Sequence, residues 1–294
     1  MKRSAFAVLA LSITAALGLH AHPPELLWES DGFMGPESIV YDQPNDVYYV
    51  SNMGTYGDGA TPGDGFISRV STAGTILDLK WVEGFDNPKG LAVANGRLYV
   101  GDDNDMVEID LASGKIVARH APADGEPAWF NDCTADPDGN VYVFSPRVKA
   151  VFRLHAGKFE PWVQIDTSIT GGLNGLRAEA ERLLLGGWSH RISDEVEELG
   201  HISTVSYATK TIGRLGNEPI CHIDGLEPDG HGGYTTTDWL TGDVMAVTSK
   251  GKPTKIMTLV QGSADHEYVI EKSLLLIPLM KDDVVRAYRW NPML

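Results

Sequence analysis

Basic residues and cysteine are scarce in this chain of 294 residues. Lys and Arg number 24 against 40 Asp and Glu, for a formal net charge of −16. Such a surface repels nucleic acid and anionic lipid, so neither is expected as a partner. Acidity is compatible with cation binding but mostly serves solubility. The two cysteines, Cys133 and Cys221, have no CxxC spacing, which removes thiol-based metal and redox motifs. Their places in the repeat set out below speak against a bridge, although an oxidising compartment would permit one. No Ser-, Pro- or Gly-rich linker divides the chain, and no stretch carries long helical periodicity. One domain is expected.

Long apolar runs are absent except at the start. Lys2 and Arg3 precede an apolar stretch from Ala5 to about Leu19, with small residues near a cut after Ala21 or Gly18. This reads as a secretory leader over residues 1–21. The stretch is short of the roughly 20 residues that span a bilayer, and a retained anchor is the alternative reading. Loss of Lys2 and Arg3 takes the charge from −16 to −18. The mature chain, 22–294, is expected to be soluble, periplasmic or secreted, with no membrane association after cleavage.

A repeat fills that mature chain. A polar residue, often followed by Gly, precedes a small or apolar residue; then come a turn and an alternating strand. The copies begin at Pro36-Glu37-Ser38-Ile39, Pro88-Lys89-Gly90-Leu91, Asn131-Asp132-Cys133, Asn174-Gly175-Leu176, Asp224-Gly225-Leu226 and Asp265-His266-Glu267. The spacing is about 40–50 residues, that of a propeller blade. Asn95-Gly96, Asp138-Gly139 and Gly232-Gly233 mark hairpin tips between first and second strands. Third strands are predicted over 65–70, 106–110, 150–154, 200–206, 243–248 and 284–290, and fourth strands over 75–82 and 158–163. Residues 194–199 read as an acidic loop.

The fold expected is all-β: a six-bladed β-propeller of four-stranded antiparallel blades. Blade six ends after three strands, so residues 25–30 are predicted to supply its fourth, an N-terminal strand closing the last blade. A β-sandwich or two smaller barrels are the alternatives.

The phase of the repeat points to a site. Asn174-Gly175 and Asp224-Gly225 lie ahead of the first strand, which lines the channel of a propeller. The equivalent positions are Glu37, Lys89, Asn131, Asn174, Asp224 and either Asp265 or His266. Converging carboxylates and amides in a narrow channel demand a cation, a proton or a substrate. Oxygen donors suit Ca2+, with Mg2+ or Mn2+ as alternatives; zinc would want His or Cys, and only His266 is near. The competing reading pairs Lys89 with Glu37 or Asp224 and fills the channel with water.

At these residues the chain resembles the senescence-marker-protein/gluconolactonase/luciferin-regenerating family of six-bladed propellers, which includes regucalcin. The matching pieces are Gly35-Pro36-Glu37-Ser38, Phe130-Asn131-Asp132 with Asp136-Pro137-Asp138-Gly139, Leu173-Asn174-Gly175-Leu176 and Ile223-Asp224-Gly225-Leu226. The resemblance implies a calcium-like ion on Glu37, Asn174 and Asp224. It implies that Asn131 lies beside the metal and contacts substrate, and that Asp224 is the base. The chain departs from the family at Trp129, where arginine is often found, and at Phe144-Ser145-Pro146, which lacks an acidic residue common there.

The function expected is metal-dependent hydrolysis of a small lactone or ester. The ion would act as a Lewis acid, and Asp224 would orient or deprotonate water. Lys89 or His266 would stabilise the oxyanion or protonate the leaving alkoxide. Trp129, Phe130, Trp188 and Trp239 are candidate pocket walls, with packing between blades as the ordinary duty of each. His190 is expected on an exposed loop. The alternative is a non-catalytic exported propeller that binds a sugar acid or a protein partner in a metal-dependent way. A strictosidine-synthase-like propeller is a third reading, against which the Glu37, Asn174 and Asp224 set argues.

Overall fold

The computed structural model describes residues 23–193 and 195–292. The expected leader lies outside them. The described residues form six four-stranded antiparallel sheets, each a simple meander. The first strands are Pro36–Asp42, Pro88–Ala94, Cys133–Ala135, Leu173–Ala178, Ile223–Pro228 and Glu267–Val269. They touch one another in a closed cycle and line the axis. This is the six-bladed propeller expected from the repeat. Among the described residues no helix is long and apolar enough to cross a membrane.

Ring closure follows the expectation too. Glu25–Asp31 pairs antiparallel with Val284–Arg289 and forms the outer edge of blade six. Trp28 anchors it, 6.3 Å centroid to centroid from Tyr48 of blade one. Without this strand, Val284–Arg289 would present unpaired backbone donors and acceptors at the seam.

The core is six wedges rather than one mass. Strand alternation puts apolar side chains on both faces of each sheet, and each face meets the neighbouring blade. Blades three and four share Tyr142, Val151, Leu176 and Leu185, for example, and blades five and six share Val244, Tyr268, Leu275 and Tyr288. Burying one such Leu or Val contributes about 1.5–3 kcal/mol. Cys133 and Cys221 serve as small apolar residues here, both buried and free.

Some local expectations shift. The acidic loop is partly a small hairpin, in which Glu197–Leu199 pairs with Ser189–Arg191. His190 is therefore a half-buried strand residue. The blade-four third strand begins at Ile202, because Gly200 instead bridges Cys221 in the next blade.

The largest difference bears on the site. Asn174 and Asp224 lie within the first strands, not ahead of them. The strand register slips between Leu173 and Leu176 and between Ile223 and Leu226, so two residues oppose one on the second strand. The same slip occurs between Pro36 and Ile39 and between Pro88 and Leu91. In blade three, Asn131 N–H donates to the carbonyl of Phe144, whose own N–H donates to that of Asp132. Each is a β-bulge, which bends the strand and re-aims its side chains. In these five blades the bulge turns the polar residue of the repeat toward the channel mouth.

The second bulge residue faces crowding. A Cβ on Gly225 would sit 2.3 Å from Nδ1 of His266, and one on Gly175 would sit 2.6 Å from the carbonyl oxygen of Asp224. That is why Gly follows Asn and Asp in these blades: the inner strands approach too closely for a side chain. Gly225→Ala is expected to destabilise the fold by about 1–3 kcal/mol through overpacking. Urea unfolding checks this; an unchanged midpoint would show that the axis has room to spare.

Candidate metal centre

One end of the channel opens into a cavity of about 250 Å3 lined by Glu37, Lys89, Asn131, Asn174, Asp224, Met53, Met280, Trp188 and Trp239. The first five are the bulge residues of blades one to five. The loops that deliver them are tied at their bases. Asn52, Asp102 and Asp238, each at the end of a second strand, accept hydrogen bonds from the backbone N–H of Met34, of Asp86 and Asn87, and of His222. The approaches to the bulges of blades one, two and five are thereby pinned.

Their polar atoms are only half satisfied. The Asn131 amide donates to Oδ1 of Asn174, and the Asn174 amide donates to Oδ1 of Asp224. Oε2 of Glu37, Oδ1 of Asn131 and Oδ2 of Asp224 are buried with no hydrogen-bond partner. An unsatisfied buried acceptor costs about 1–3 kcal/mol, more when charged. Burial, with Asp265 adding like charge and Lys89 opposing, pushes the Glu37 carboxyl up to about 8. Asp224 is likewise raised well above the carboxylate range, by burial first and then by Glu37, Asp265 and Asp238.

This donor set fits a hard divalent cation. It offers two carboxylates and two carboxamides, oxygen only, with three oxygens left free on one cavity. Asn174 turns its oxygen toward the Asn131 amide, and rotation of a carboxamide exchanges its oxygen and nitrogen. Among the described residues no group of three His, Cys, Asp or Glu side chains gathers as a metal site. The carboxamides complete the set instead.

Lys89 does not form an ion pair with Glu37 or Asp224. Its ammonium donates to Oδ1 of Asp103 at 3.0 Å and to the carbonyl of Asn87 at 3.2 Å. It lines the cavity as a cation already half engaged. His266 is absent from this cavity. Its Nε2 meets Thr235 Oγ1 at 2.7 Å, and it lines a second cavity, about 270 Å3, at the other end of the first strands. Burial and the nearby Arg177 hold its pKa down to about 3, so the ring is neutral at pH 7. Asp265 lines that far cavity too, and accepts from Ser38 Oγ at 2.6 Å. Trp129 lies at the near rim, 53 % exposed, while Phe130 is fully buried between blades two and three.

Three residues were missed by sequence reasoning. Met53 and Met280 complete the apolar wall, and they come from loops with no repeat phrase of their own. Asp132 is the second bulge residue of blade three, 2 % exposed. Its Oδ2 accepts from the Leu176 N–H, and its Oδ1 has no partner. Burial raises its pKa, helped by Asp265, Glu37 and Asp224. The signal was present in Asn131-Asp132, where an acid stands in the place that Gly takes in blades two, four and five.

No protein-family model and no curated protein matches the chain. Solved structures do. A gluconolactonase from Xanthomonas campestris superposes with a TM-score of 0.66 at 15% identity, covering 92% of this chain and 96% of its own. A virginiamycin B lyase from Staphylococcus aureus, catalytically inactive and with quinupristin, gives 0.57 at 12% identity, covering 89% of this chain and 99% of its own. Its selenomethionine form gives 0.59 at 11% identity, with coverage of 89% and 98%. At these identities the likeness is one of fold.

The raised carboxyls set a pH dependence. Glu37 in the folded, metal-free protein titrates near 8 against an ordinary 4.5, so the fold favours its protonated form. Stability present below 4.5 is lost as pH rises toward 8. Melting temperature in EDTA is therefore expected to fall over that window. Added Ca2+ should restore it most at the alkaline end, because the ion displaces protons. Glu37→Gln should flatten both trends. A metal-free melting temperature that climbs with pH over this range would contradict the assignment.

Proposed function

We propose that the chain hydrolyses a small lactone or ester, using a divalent ion held by Glu37, Asn174 and Asp224 with Asn131 beside it. The observation that carries this reading is the set of three buried, unpartnered oxygens on one cavity. Ca2+ is the ion of choice for such donors, with Mg2+ and Mn2+ as the alternatives. When bound, it supplies Lewis-acid polarisation of a carbonyl.

The chain's own residues supply the rest. The Asp224 carboxylate takes a proton from the attacking water as the water oxygen bonds to the carbonyl carbon. The Lys89 ammonium, held in place by Asp103 and Asn87, hydrogen-bonds the oxyanion or gives a proton to the alkoxide when the ring or ester C–O bond breaks. The products are a carboxylic acid and an alcohol, joined in one molecule if the substrate was a lactone. Asn131 orients the substrate, and Met53, Met280, Trp188 and Trp239 keep bulk water out. His266, neutral and at the far cavity, takes no part.

The gluconolactonase supports this reading as a protein of similar fold with such an activity. The lyase has the same ring, so the ring does not name the reaction and the cavity must. The proposal extends to location: a leader over 1–21 would place the mature enzyme in a periplasm or outside the cell.

The test is turnover of a lactone and aryl-ester panel by the purified protein, with and without EDTA. Activity is expected to vanish with chelator and return with Ca2+. Asp224→Asn should lower kcat/KM by about 10²–10⁴-fold, the usual contribution of a general base. Metal-dependent ligand binding without turnover would favour the non-catalytic binding propeller. Turnover indifferent to chelator would sink the proposal.

A further inference from the structure

A second cleft opens beside the metal cavity. It measures about 350 Å3, and its lining includes Lys89 and Asn131, which also line the metal cavity. The remaining walls are Asn87, Asp103, Trp129 and Pro146. The two cavities therefore share a wall at Lys89 and Asn131.

Trp129 dominates this lobe in an unusual way. It is 53 % exposed, and its φ of 55° is a left-handed conformation that a bulky residue rarely adopts. The flanking residues fix it there. The Ala128 N–H donates to Oδ1 of Asn104, and the buried Phe130 donates its N–H to the Asp103 carbonyl. A strained, exposed aromatic held by buried neighbours is a feature that binding sites retain.

The charge around it is of the wrong sign for this protein. The chain as a whole carries −16. Yet the Arg147 guanidinium stacks 4.9 Å from the centre of the Trp129 ring, with no ion-pair partner among the described residues. Lys89 stands on the shared wall. Across the mouth Lys281 lies 5.6 Å from the centre of Trp239. The one carboxylate lining the cleft, Asp103, is already engaged by Lys89 and by the Asn87 amide. Arg147 is exposed and lies against the Trp129 ring at the edge of the cleft rather than in its lining, and its charge has no ion-pair partner among the described residues.

We infer that the substrate carries a carboxylate, seated against Trp129 and bound by Arg147 with help from Lys89. A guanidinium fixed by stacking presents its donors in the fork that matches a carboxylate. This rests on the hydrolase reading only for the bond that is cleaved.

The experiment compares a γ-lactone bearing a ring carboxylate with the same lactone bearing a carboxamide, on the full mature protein with Ca2+. The carboxylate form is expected to show a kcat/KM about tenfold higher, mainly through KM. That ratio should fall toward one in Arg147→Met, fall only part of the way in Arg147→Lys, which keeps the charge but loses the fork, and shrink in high salt as the charges are screened. A ratio of one or less in the unaltered protein, or a ratio that Arg147→Met leaves in place, would overturn the inference. If neither lactone is turned over, the hydrolase reading fails, and calorimetric affinities of the same two compounds decide this one. A carboxylate preference lost in Arg147→Met upholds it; no preference, or no binding, overturns it.

Discussion

Uncompensated oxygen at the channel mouth is the constraint on which this molecule turns. Glu37 and Asp224 there are nearly inaccessible, and each keeps an oxygen with no partner; the same holds for Asp132, which is buried without lining the cavity. Removing an ionised carboxylate from water costs several kcal/mol even after relaxation. A domain's whole net stability is about 5–15 kcal/mol. Three such groups left bare would consume most of it. Protons or a cation must neutralise them, and burial with neighbouring like charge pushes the Glu37 and Asp224 carboxyls toward the protonated form. The divalent ion we propose would do so while leaving the carboxylates ionised.

The ring makes that arrangement rigid. Each of blades one to five contributes one bulge, and each bulge is fixed by a wedge of apolar side chains on either side. The six wedges distribute the packing energy around the axis, so no single loop decides where a donor points. Pins at the second-strand ends, such as Asn52 on Met34 and Asp238 on His222, fix the approach of the chain to the bulge. The mouth differs in this respect. Trp129 and Arg147 lie on loops between strands, where specificity can change without disturbing the donors beneath.

Much of this was legible in the sequence because the repeat fixes phase. Once Asn174 and Asp224 occupy the same place in their blades as Glu37, convergence on one end of the axis follows from the architecture alone. The same logic covered the closing strand at Glu25–Asp31, since blade six is a strand short. What the repeat could not show was the bulge. A polar residue followed by Gly reads as a turn ahead of a strand, and only pairing across the sheet reveals two residues opposing one. Nor could it show that blade six departs from the other five: Asp265 and His266 line the far cavity while Glu37 and Asp224 line the near one. Lys89 illustrates another limit. Its partner Asp103 lies in a turn 14 residues on, a contact set by side-chain reach rather than by periodicity. Met53 and Met280 stand in loops outside the repeated phrase, so nothing in the pattern marks them.

The most direct test of the central idea is anomalous X-ray diffraction from crystals of the mature protein grown with Mn2+. The account requires a single strong peak in the near cavity, in contact with oxygens of Glu37, Asn174 and Asp224. An empty cavity at saturating Mn2+, with those carboxylates bridged only by water, would contradict it.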